Sequence, residues 1–135
     1  MLFRSPIWPP GWARPKGFSN GISCQGRLVF IGGQIGWSGQ GEWLDRSFAG
    51  QFRQALKNIL DILAQAGGKP EHLVRLTWYV LDRKEYLASL KELGAAYREL
   101  MGRHYPTMAV VQVSGLVEDA ARLEIEATEI GRAHV

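Results

Sequence analysis

His104 to Thr128, HYPTMAVVQVSGLVEDAARLEIEAT, reads as a hairpin, two strands joined by a polar loop. The first half puts Met108, Val110, Gln112 and Ser114 on one face. The second puts Arg122, Glu124, Glu126 and Thr128 on one face and Leu123, Ile125 and Ala127 on the other, the period-two pattern of a half-buried strand. Two carboxylates on one strand face, ~7 Å apart at strand rise, need water or a ligand within reach. Glu124 and Glu126 therefore either face solvent or belong to a site, and spacing alone leaves both readings open.

Working back from that stretch, Leu73 to Leu81 (LVRLTWYVL) is apolar and β-branched enough for a strand buried on most of both faces. Asp82 with Glu85 three residues on marks a helix start. Tyr86, Leu90, Leu93, Tyr97, Leu100 and Met101 continue that helix to a stop at Gly102. Ser47 to Ala66 is a second helix, with Phe48, Phe52, Ala55, Leu56, Ile59, Ile62, Leu63 and Ala66 inward and Gln51, Arg53, Lys57 and Asp61 in solvent. Asn20–Cys24 and Arg27–Ile31 read as a hairpin turning at Gln25-Gly26. This order predicts an α+β sandwich, a mixed β-sheet with both helices on one face. The opposite face is too apolar for water, so a homo-oligomer is expected to cover it.

Gly32 to Gly36 follows a strand, but Trp37 to Arg46 separates it from the next helix. A phosphate loop needs the helix N-terminus at once, so close approach of a strand or a small ligand explains these glycines better. Residues 1–16 hold four of the six prolines and form an extended arm whose tryptophans need a surface. Residues 17–128 form the single domain. The last seven residues, EIGRAHV from Glu129, break the strand pattern and match a sequencing adapter translated in frame; a non-native tail replacing a short native one is expected.

Composition narrows the function classes. The net charge of +3 is spread among acids with no basic run, which argues against a nucleic-acid groove. A single cysteine, Cys24, fits a reducing compartment and packs as a small residue, because no base near it in sequence would activate it. The prolines interrupt any apolar leader and no segment approaches membrane length, so the expected location is cytoplasmic. His72, His104 and His134 show no metal-ligand spacing, and no G-x-S-x-G elbow is present.

Five stretches together resemble the Rid family of enamine/imine deaminases, also called the YjgF family. They are FSNGI (Phe18–Ile22), GRLVFIGGQIG (Gly26–Gly36), QALKNILDILAQAGG (Gln54–Gly68), Tyr105-Pro106 before a strand, and LEIEA (Leu123–Ala127). The resemblance covers roughly Gly17 to Thr128. It implies a chorismate-mutase-like fold and a homotrimer with small-ligand clefts between subunits. It further implies hydrolysis of reactive enamines and imines with release of ammonia, without metal or organic cofactor.

By that resemblance Glu124 orients the water, and Gly33, Phe18, Lys91, Met108 and Val110 occupy substrate-binding positions. Four of these depart from the family pattern. Met108 stands where deaminating members carry a substrate-gripping arginine, Phe18 where they carry a tyrosine, Val110 where a cysteine is common, and Lys91, in ungapped register, at a helix asparagine. A thioether offers none of the guanidinium's donors. The chain thus resembles an arginine-less branch, whose substrate would differ from the usual 2-iminoacids. The alternative is a non-catalytic small-metabolite-binding trimer. A ribonuclease role, attached to some relatives, lacks a basic groove.

Overall fold

The computed structural model describes residues 4–131. The strands are β1 (Arg4–Ile7), β2 (Gly21–Cys24), β3 (Arg27–Ile35), β4 (Leu73–Val80), β5 (Thr107–Gln112) and β6 (Leu123–Gly131). The helices are α1 (Phe48–Gln65), α2 (Arg83–Ala88) and α3 (Leu90–Met101). One sheet has the order β3-β6-β4-β5, antiparallel except for the parallel pair β4/β5; the other is the small pair β1/β2.

β6 alternates as its sequence demands, with Leu123, Ile125 and Ala127 buried while Glu124, Glu126 and Thr128 face away. Leu76, Trp78 and Val80 of β4 join them under the helices. Phe52, Leu56, Ile59 and Leu63 of α1 and Leu93, Ala96, Tyr97 and Met101 of α3 close that core. Phe52 stacks on Trp78 with ring centroids 4.6 Å apart. α1 starts where the Ser47 hydroxyl accepts from Gly50 N–H at 3.1 Å. It stops where Gly67, at φ 78°, lets Gly68 N–H reach Leu63 C=O at 2.9 Å. Among the described residues, no helix is long and apolar enough to cross a membrane.

Four sequence expectations need correction. β2 does not form a hairpin with β3: it pairs with β1 of the arm, and β3 pairs with β6 instead. Likewise β5 and β6 are not neighbours, because β4 lies between them. The helix expected over 82–101 is two, broken at Ser89, whose hydroxyl donates to Glu85 C=O at 2.8 Å. Gln51 is fully buried rather than solvated: its amide donates to Arg46 and Ala120 C=O and accepts from Arg122 N–H, tying α1 to the approach of β6. The strand and Gln51 errors share a cause, since a periodicity shows which face is apolar but not which strand is adjacent or which amide finds partners. The arm's rings also stay largely in solvent, Trp8 at 44% and Trp12 at 61%, with Arg14 over the Trp8 ring.

β6 continues through Gly131, pairing with Arg27 to Val29, so three residues of the expected tail are strand; residues 132–135 lie outside the described residues. Glu129 takes the next inward position after Ala127 and is fully buried, with no hydrogen bond to either carboxylate oxygen among the described residues. Desolvation pushes its carboxyl up from the usual glutamate range, against weaker pulls from His72 and Arg27. Replacing it should stabilise the fold: Glu129→Val is expected to gain about 1–3 kcal/mol in urea unfolding at neutral pH. Because folding raises this pKa, wild-type stability falls as pH rises from the ordinary glutamate range, and Glu129→Gln should flatten that slope. Equal midpoints for wild type and Glu129→Val would contradict this reading.

Candidate active site

The first group of site residues gathers at the β5 edge. Ser19 fixes it there: its N–H donates to Pro106 C=O at 3.1 Å, its hydroxyl to Tyr105 C=O at 2.5 Å, and it bridges to Thr107. The Arg4 guanidinium donates to Leu73 and Tyr105 C=O at 2.9 and 3.1 Å, so the arm braces the same corner. Tyr97 stacks on Tyr105, with centroids 5.6 Å apart, and donates to His104 C=O. Held this way, Phe18, Met108 and Val110 line one cavity of about 460 Å³ with Trp78, Tyr86 and Leu90. Lys91 is exposed on α3 and is not part of this wall; its neighbour Leu90 takes that place. Burial pushes the Tyr86 hydroxyl up, so it stays protonated, and it makes no hydrogen bond among the described residues. The Trp78 indole N–H is buried without an acceptor among the described residues.

The second group lies on β3 and β6. Their register runs Ile31 opposite Ala127 and then Gln34 opposite Ile125, so Gly32 and Gly33 form a bulge. Gly33 lies directly over Glu124: a Cβ there would stand 2.4 Å from Glu124 Oε2. Gly36, by contrast, packs on α1, where a Cβ would meet the Gln51 backbone at 2.6 Å. The two carboxylates are not equivalent. Glu126 accepts from the Tyr79 hydroxyl at 2.6 Å, a bond that also raises the Tyr79 pKa, whereas the half-buried Glu124 makes no hydrogen bond among the described residues.

The two groups do not meet within one chain. Met108 and Val110 are paired with Leu76 and Trp78, on the helix side of the sheet. Glu124 is paired with Tyr79, on the outward side. No cluster of three or more His, Cys, Asp or Glu able to hold a metal ion occurs among the described residues. Tyr79, Tyr86 and Trp78 were absent from the sequence reading of the site; the only signal for them was their place on an apolar strand and helix stripe, which marks core as readily as pocket.

The family model described as endoribonuclease L-PSP matches residues 13–130. A solved structure of the conserved Rid protein family, YyfB from Yersinia pestis, superposes with TM-score 0.85 at 28% identity, covering 96% of this chain and 99% of that one. The chain belongs to the Rid family. The YjgF gene product of E. coli is a further structural match, with TM-score 0.67 at 29% identity over 79% of this chain and 83% of its own. The α+β architecture is therefore the chorismate-mutase-like fold of YjgF proteins. Among curated relatives, the human 2-iminobutanoate/2-iminopropanoate deaminase is 30% identical over 105 residues, 77% of this chain and 73% of its own. A RutC family protein from Pyrococcus horikoshii is 35% identical over 103 residues, 76% of this chain and 78% of its own.

In this Rid protein the Gly33 bulge makes room for a carboxylate that makes no hydrogen bond among the described residues. Gly33→Ala should therefore push the Glu124 side chain aside while changing stability by less than about 1 kcal/mol, since the position is exposed and its φ is not positive. A crystal structure of the variant checks this. An unmoved Glu124 carboxylate would refute the close-approach role of the glycine.

Proposed function

We propose that this protein is a cofactor-independent deaminase that hydrolyses a small enamine or imine, in clefts where one subunit's cavity meets the Gly33–Glu124 bulge of another. The observation that carries this reading is Glu124, an unbonded, half-buried carboxylate held under a glycine on the outward face. Leu28, Phe30 and Val111 share that face at 53%, 76% and 44% exposure, an apolar surface that suits contact with further copies in a homotrimer. Relatives with deaminase names support the chemistry.

In this mechanism Glu124 accepts a proton from water as the oxygen attacks the imine carbon. The protonated imine thereby becomes a neutral carbinolamine; Glu124 returns the proton to its nitrogen and then takes the hydroxyl proton as the C–N bond breaks, the C=O forms and ammonia leaves. Met108 cannot grip a carboxylate at the cavity floor, so the substrate differs from the 2-iminoacids named for the human relative. The same loss favours a second reading, a small-metabolite-binding trimer that does not turn its ligand over. A nuclease role is not supported by the scattered basic residues.

Ammonia release from a panel of enamines and imines tests the proposal. Glu124→Ala should lower turnover about 10²–10⁴-fold, and Met108→Arg should gain hydrolysis of 2-iminoacids. If nothing turns over, yet a metabolite raises the melting temperature equally in wild type and Glu124→Ala, the binding reading replaces the enzyme. Sedimentation should give three times the subunit mass; a monomer would remove the shared cleft.

A further inference from the structure

The walls of the cavity say more about its ligand than the missing arginine does. Its inner surface is aromatic and aliphatic: Phe18, Trp78, Tyr86, Leu93, Met108 and Val110. Its charged lining consists of two exposed cations, Lys16 beside Phe18 and Arg98 on α3, and no carboxylate lines it. Arg98 lies back over Gly94, another wall residue, where a Cβ would stand 3.3 Å from Arg98 Nη1. The ion pairs of the described residues are Arg53–Glu99 and Arg122–Glu85, so both Lys16 and Arg98 keep their charge uncommitted. The Tyr86 hydroxyl on its wall and the buried Trp78 N–H find no acceptor among the described residues.

We infer that this cavity takes an amphiphilic monocarboxylate, with an aromatic or bulky apolar body on Met108 and Trp78 and its anionic end on Lys16 and Arg98 at the mouth. The apolar wall gains by burying hydrocarbon, and the exposed cations meet the charge. A volume of about 460 Å³ has room for a phenyl ring with a short chain, which covers more of the apolar wall than a four-carbon acid does. The inference rests on the cavity being the ligand site of the proposed function.

Calorimetric titration of the full chain with 3-phenylpropanoate, its neutral isostere 3-phenylpropanamide, and butanoate tests it. The wild type should bind 3-phenylpropanoate about tenfold or more tighter than either comparison compound. The Lys16→Gln/Arg98→Gln double variant should bind acid and amide alike, with the amide affinity unchanged; both positions are exposed, and an unaltered melting temperature confirms that the fold is intact. Equal binding of acid and amide by wild type would overturn the inference, as would an acid preference that survives in the double variant, or no binding of any of the three at millimolar concentration. Ammonia plays no part in this readout. An acid preference with no turnover would remove the deaminase and keep the ligand class, whereas Glu124-dependent turnover with no acid preference would do the reverse.

Discussion

The two-sidedness of β6 is the constraint on which the rest of this structure depends. The strand lies between β3 and β4, so its inward side chains, Leu123, Ile125 and Ala127, form the floor beneath both helix layers, and its outward ones cannot be withdrawn from the opposite surface. A shift of one residue would bury Glu124 and Glu126 and expose the core, an exchange no packing could offset. From that alternation follow the helix-covered face, the carboxylate-bearing face, and the need for the β3 bulge that gives Glu124 its room. Tyr79 then separates the two acids, holding Glu126 and leaving Glu124 without a hydrogen bond.

Elements with strong periodicity were legible in the sequence. α1, β4 and β6 lie where their apolar patterns put them, and the glycine run serves close approach at Gly33 and Gly36, although Gly32 and Gly33 lie inside β3 rather than after it. Adjacency was not legible. Nothing in Asn20 to Ile31 says that β2 will prefer four residues of the arm to its own neighbour, because hairpin signals are local and the competing partners Arg4–Ile7 and β6 are remote in sequence. Gln51 reads as a surface residue until three backbone groups from the chain before α1 and from the approach to β6 converge on it.

The site was half legible. Glu124 and Gly33 were found by pattern and lie together, and Phe18, Met108 and Val110 lie together elsewhere. That these two sets occupy opposite faces of one sheet depends on strand register, which the sequence does not display. Lys91 illustrates the limit of ungapped correspondence: one position along α3 separates Leu90, which lines the cavity, from Lys91, which does not. The cations that do border the cavity, Lys16 and Arg98, come from the arm's end and from a helix turn where no motif drew attention to them.

The central claim is that a working cleft takes Glu124 from one chain and the Met108 cavity from another. Subunit complementation tests it most directly, by mixing Glu124→Ala with a cavity-blocked Met108→Trp variant under conditions that exchange subunits. Each variant alone should be inactive. The mixture should recover ammonia release to about a quarter of wild type, the share of clefts that random assembly builds from two intact halves. A mixture no more active than its parents, from subunits shown to have exchanged, would contradict the account.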